Sequence, residues 1–95
     1  MIVQWSHTAI AHLVGIYDYI SRDSSLYAQR TIDRLIRRVE QISLHPQSGR
    51  AVPEYQSQNI REIISSPYRI IYRMTENHLE ALAFVHGRQA LRLDE

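Results

Sequence analysis

Apolar residues recur with a helical period along the first half of the chain and with a strand-like period along the second. Ala9, Leu13, Ile16, Tyr17 and Ile20 fall on one helical stripe. Ser6 stands before the stripe as its N-cap, Gly15 weakens it slightly, and the helix is expected to end near Ser21–Asp23. After a tight turn, Ser24 or Ser25 caps a second helix, where Ala28, Ile32, Leu35, Ile36, Val39 and Ile42 repeat the period. The other face of that helix carries Arg30, Asp33, Arg34, Arg37, Arg38 and Glu40. Asp33 and Arg37 are spaced i,i+4 in the favourable order. Residues 6–44 are therefore predicted to form a helical hairpin.

His45–Pro53 breaks the pattern, because its prolines and glycine end a helix and make a loop. Residues 1–5, with Ile2, Val3 and Trp5, read as a short opening strand. Ile60–Ile64, Tyr68–Met74 and Leu79–His86 read as three more, with Thr75–His78 as a turn. Short turns between neighbouring strands imply an antiparallel meander. The predicted order is β-α-α-β-β-β, an α+β arrangement with a helical hairpin packed on one face of a small antiparallel sheet. Ninety-five residues make a single domain, 1–95.

Composition narrows the class. An apolar fraction of 44% with 22% charged residues is ordinary for a soluble globular domain. A chain this short buries a modest core, so a permanent partner that covers apolar surface would help it. The absence of cysteine excludes disulfides, thiol chemistry and Cys-based zinc sites, and suits the cytoplasm, the expected location. No apolar run approaches the roughly 18 residues of a membrane span. Met1–Trp5 lacks a basic flank and a secretory core and reads as the start of the fold.

A net charge of +1 argues against strong non-specific nucleic-acid binding. Yet all eleven basic residues are arginine, the residue suited to bidentate contacts with carboxylate and phosphate. The codon usage of a GC-rich genome gives the same composition. Arg61, Arg69 and Arg73 lie on adjacent predicted strands, and Arg69 and Arg73, four apart, share one sheet face. They form either a cationic patch for phosphate or an acidic partner, or structural pairs with Glu62, Glu76 or Glu80. His86 closes the last strand. It is either a strand-end histidine without chemistry or an acid–base group, with Arg61, Arg69 or Arg88 holding a phosphate. His7, His12, His45 and His78 show no metal-ligand spacing and are read as surface residues. No phosphate-binding glycine loop and no nucleophile motif is present, so no cofactor, metal or small-molecule ligand is expected. Trp5 is assigned to the core. Tyr17, Tyr19, Tyr27 and Tyr55 are candidates for a partner interface, with the core as the alternative for Tyr17.

Taken in order, the Pro46–Arg50 loop, Arg61-Glu62-Ile63, Tyr68-Arg69-Ile70-Ile71-Tyr72-Arg73 and Val85-His86-Gly87-Arg88 resemble the RelE/ParE toxin superfamily. The resemblance covers nearly the whole chain, and the long hairpin is closer to ParE. It implies a type II toxin held inactive by a small cognate antitoxin in a hetero-oligomer. ParE-like members act on DNA gyrase and block replication; RelE-like members cut messenger RNA in the ribosomal A site. The nuclease branch uses lysines, or a Glu/Arg/His/Tyr set. Here lysine is absent and Glu54 lies in the matching stretch, but Gly87-Arg88-Gln89 follows His86 where a tyrosine belongs. The leading expectation is therefore a non-enzymatic gyrase inhibitor with Arg61, Arg69, Arg88 and Arg92 at its target surface. Ile10, Val14 and Leu26, left over on the two helices, would receive an antitoxin segment that orders on binding. The alternative is a ribosome-dependent endoribonuclease using His86 with Arg61, Arg69 and Arg88. A degenerate member that only binds its antitoxin is a third reading. Residues 90–95 are expected to be loosely ordered without a partner, and the resemblance implies a role for this end in toxicity.

Overall fold

The computed structural model describes residues 1–87. Along the chain run β1 (Ile2–Trp5), α1 (His7–Ser21), α2 (Ser25–Leu44), a 3-10 turn (Pro46–Ser48), β2 (Arg50–Ala51), β3 (Ile60–Ser65), β4 (Tyr68–Met74) and β5 (His78–His86). The five strands form one sheet in the order β1-β5-β4-β3-β2. The two helices pack on one of its faces, so the α+β hairpin-on-sheet arrangement is present. Two details go beyond the predicted order. The loop after α2 contains β2, whose Arg50 and Ala51 pair with Glu62 and Arg61. And β1 lies parallel to β5, with Ile2 opposite His78 and Trp5 opposite Ala81. A two-residue strand leaves no readable period, which is why β2 looks like loop in the sequence.

Both helices start as their serines dictate. Ser6 Oγ accepts the Ala9 N–H at 3.0 Å, and Ser24 Oγ accepts the Tyr27 N–H at 3.1 Å. The Ser6 hydroxyl also donates to the Leu82 carbonyl at 3.0 Å, tying the start of α1 to β5. Between helices and sheet lie Ala9, Leu35, Val39 and Ile42 on one side and Ile70, Tyr72, Leu79, Ala81 and Phe84 on the other. Trp5 stacks on Phe84 with ring centroids 6.1 Å apart. Each fully buried side chain the size of Leu35 contributes roughly 1.5–3 kcal/mol relative to exposure.

The far face of the sheet is also covered. Val52, Ile71, Leu82, Ala83 and Val85 form a second apolar cluster, with Tyr55 and Ile60 packed against it. Strand β5 is thus buried on both faces, which accounts for its unbroken apolar run from Ala81 to Val85. Its alternation is interrupted once. Tyr72 stands opposite Ala81 and Ile71 opposite Ala83, which leaves Leu82 as the extra residue of a bulge.

The connection from α2 to the sheet is held by side chains. The Tyr72 hydroxyl donates to the Pro46 carbonyl at 2.7 Å and accepts the Gly49 N–H at 2.9 Å. Burial raises the pKa of this phenol, while the Gly49 bond opposes the shift. Gly49 must be glycine, since a Cβ there would lie 2.8 Å from the Glu62 carbonyl oxygen and would also strike the Tyr72 hydroxyl. Arg61 Nη1 donates to the carbonyls of Gln47 and Gly49, and its Nε to that of Gln58.

Candidate functional site

Alternation along β4 separates two kinds of chemistry. Ile70 and Tyr72 point to the helices with Tyr68 and Met74, whereas Ile71 belongs to the far-face cluster. Arg69 and Arg73, in phase with Ile71, share that far face. Arg69 is nearly buried. Its Nε donates to Glu62 at 2.8 Å, and Nη1 and Nη2 grip the Glu54 carboxylate at 3.0 and 2.9 Å. The Glu62 side chain is 1% exposed and that of Glu54 34%. Arg69 is held protonated more firmly than a free arginine, chiefly by its Glu54 hydrogen bonds. Burial opposes that effect, and Glu62 adds to it through a further bond and its charge. Two carboxylates outweigh one guanidinium, so the cluster is acidic until the exposed Arg50, 3.5 Å from Glu62, is counted. A phosphate has little reason to enter here. Arg73 reaches Glu80 at 3.8 Å across a half-exposed edge, a contact of small energetic weight.

His86 lies on the other side. It stands opposite Tyr68, and the two rings meet edge to face at 6.2 Å. Arg69 stands opposite Val85. Adjacent positions on a strand project to opposite faces, so His86 and Arg69 are separated by the sheet. Arg61 is on the helix side opposite Tyr72, four positions along β4 from His86's partner, and its donors are directed at backbone carbonyls. The acid–base reading of His86 with Arg61 and Arg69 therefore finds no joint site among the described residues. Arg88 and Arg92 lie outside them, as do residues 90–95.

A groove of about 630 Å³ runs between α1 and the sheet end formed by the start of β4 and the end of β5. Ala11, His12, Gly15, Ile16 and Tyr19 form its helical wall, and Pro67, Tyr68, Phe84 and His86 the other. His12 is not the surface residue its spacing suggested. Strand β1 ends opposite Ala81, which leaves the outer edge of β5 beyond Ala81 without a partner strand among the described residues. His12 Nδ1 fills the gap by accepting the Phe84 N–H at 3.1 Å. Burial lowers the His12 pKa, so the ring is neutral near pH 7 and its proton sits on Nε2. The signal was present in the sequence, because His12 falls between Ala9 at i−3 and Ile16 at i+4 on the buried stripe. His78 is also partly buried, while His7 and His45 are exposed.

Tyr68 is partly buried, and burial raises its phenol pKa with help from nearby Tyr27 and Tyr19, against the charge of Arg34. The three residues read as antitoxin-binding are exposed apolar surface, Ile10 at 49%, Val14 at 55% and Leu26 at 60%. Ile10 and Val14 sit one turn apart on α1 and do not line the groove. Tyr19 and Tyr27 are exposed, Tyr17 is partly buried, and Tyr55 packs on the far-face cluster. No group of His, Asp and Glu among the described residues is arranged to hold a metal ion. No described helix is long and apolar enough to cross a membrane.

Residues 3–91 match the model of the family described as the ParE toxin of the parDE type II toxin–antitoxin system. Toxin RelE2 of Caulobacter vibrioides is 31% identical over 86 residues, spanning 90% of this chain and 93% of that protein. A chain from the chromosomal ParDE system of P. aeruginosa has a similar fold, with a TM-score of 0.74 and 19% identity. That likeness covers 90% of this chain and 95% of the other. With a matching family model over almost its whole length, a hairpin-on-sheet fold to suit and a toxin as a full-length relative, this chain belongs to the ParE toxin family of type II toxin–antitoxin systems.

Proposed function

We propose that this toxin acts by binding DNA gyrase, not by cutting RNA, and that a cognate antitoxin neutralises it. The observation that carries the reading is the placement of His86 and the Glu54–Arg69 pair on opposite faces of the sheet. Phosphodiester cleavage needs a proton acceptor, a proton donor and a cation around one phosphate. A histidine on one face and an arginine neutralised by two carboxylates on the other do not supply that arrangement. On this reading Arg69 serves as a scaffold residue, and Arg61, Arg88 and Arg92 contribute positive charge to target binding. An antitoxin segment docks on the apolar surface of Ile10, Val14 and Leu26.

Two assays test it. Purified toxin is added to a gyrase supercoiling and cleavage reaction and, separately, to programmed ribosomes with a labelled message. Gyrase inhibition is expected, unchanged by His86→Gln. Arg88→Ala should weaken it by roughly 10- to 100-fold, since a charge-assisted contact is worth about 1.5–3 kcal/mol. Message cleavage that is abolished by His86→Gln, with gyrase untouched, would overturn the proposal in favour of the ribosome-dependent endoribonuclease.

A further inference from the structure

We infer that the groove between α1 and the sheet end formed by the start of β4 and the end of β5 is a binding site for a single unstacked nucleotide, with the base against its aromatic wall and the phosphate toward Arg22. The inference is independent of the gyrase reading, because it concerns direct binding by the toxin alone.

The space is built into the helix. Gly15 sits in the middle of α1, where glycine costs stability relative to alanine, yet a Cβ at that position would meet nothing within 4 Å. No neighbour demands the glycine. What its missing side chain leaves open is the groove, whose volume of about 630 Å³ is that of a small-ligand site.

The lining selects the occupant. Tyr19 and Tyr68 supply ring surfaces, His12 and His86 add two imidazoles, and the buried Phe84 closes the floor. No carboxylate lines the groove among the described residues. His12, whose Nδ1 is taken up by the Phe84 N–H, presents its remaining ring nitrogen as a fixed donor. The Arg22 guanidinium lies 6.0 Å from the centre of the Tyr19 ring, and Arg34 is near enough to Tyr68 to act on its phenol. Flat apolar walls with donors and cations around them fit a planar, acceptor-rich, anionic ligand, which describes a nucleotide.

An extended peptide fits less well. A strand added along β5 would need its outer backbone groups, and two of these are already engaged. The Phe84 N–H goes to His12 and the Leu82 carbonyl to the Ser6 hydroxyl. The net charge of +1 gives little long-range attraction for a duplex. Recognition by stacking therefore favours a short single strand.

The test measures fluorescence anisotropy of labelled hexanucleotides, dT6 and rU6, with the full-length toxin. Both are expected to bind, and their ratio shows whether the sugar matters. Tyr19→Ala, at a side chain 71% exposed, removes one wall without touching the core. Gly15→Leu fills the groove from within. Each should weaken hexanucleotide binding by at least roughly tenfold at unchanged melting temperature, as expected for loss of one stacking site. If Gly15→Leu alters folding, Tyr19→Ala decides. A duplex of matched length and a hexaglutamate peptide should compete at least roughly tenfold more weakly, the margin one stacked base provides. The inference is overturned if neither hexanucleotide binds, if Tyr19→Ala binds as the parent does, or if hexaglutamate competes equally.

Discussion

Replacing Arg69 by alanine removes the guanidinium that neutralises two carboxylates on the far face of the sheet. Glu62 suffers most. Its side chain is 1% exposed, and Arg69 Nε at 2.8 Å is its short ionic contact. Arg50 lies 3.5 Å away, but its side chain is 69% exposed. Removing one partner of a buried pair costs about 3–5 kcal/mol, because the other charge stays behind without compensation. An exposed, screened cation such as Arg50 returns no more than about 1 kcal/mol. In a domain of this size each kcal/mol moves the melting temperature by roughly 4–8 °C, so a loss of about 3 kcal/mol lowers it by at least about 12 °C. Circular dichroism melts and urea titrations of the isolated toxin would read this directly. The double variant Arg69→Met with Glu62→Leu should recover most of the loss, since apolar replacements of a buried pair are often neutral or stabilising. Glu54, one-third exposed, can then turn to water. Melting of Arg69→Ala within about 2 °C of the parent would refute the reasoning, because that shift is worth at most about 0.5 kcal/mol. So would a double variant as unstable as the single one.

Two further outcomes follow from hydrogen bonds in the fold. Folded His12 resists protonation because it is buried, whereas the unfolded imidazole titrates near 6.5, so the unfolded state takes up the proton first and stability falls as pH drops below that value. Urea midpoints at pH 7.5 and 5.5 should therefore differ more for the parent than for His12→Gln, which accepts the Phe84 N–H without titrating; equal losses would remove His12 from the account. Tyr72→Phe leaves the buried Gly49 N–H without its acceptor and should cost about 1–3 kcal/mol in a thermal melt, against no change if water replaces the hydroxyl fully.

The helices were legible because each carries its own period and its own cap. Ser6 and Ser24 precede stripes that repeat over fifteen and twenty residues, and both serines accept the N–H three positions on. Strands β3, β4 and β5 were legible from their β-branched and aromatic runs. The parallel pairing of β1 was not, because a four-residue strand says nothing about which neighbour it joins. The site was harder still. Pairing of the strand arginines with Glu62 or Glu80 was one reading of the sequence, but the part of Glu54 was not legible, because it lies in a loop with no period of its own. The position of His12 on the buried stripe was legible, but its partner was not, because the Phe84 N–H is open to it only where β1 has ended. The face of each residue on β5 depends on the Leu82 bulge, and an apolar run of that kind carries no alternation from which the bulge can be read.

The pairing of β1 with β5 also sets a timetable for synthesis. Ile2 finds His78 and Trp5 finds Ala81, so the first strand to be made must wait for nearly the last. At about 5–20 residues per second the ribosome takes several seconds to supply that partner. Throughout that interval the helical hairpin can form locally, but the sheet it packs on is incomplete, because β5 must enter between β1 and β4. The nascent chain thus cannot close its sheet, or present the surface that the sheet supports, until β5 has left the ribosome.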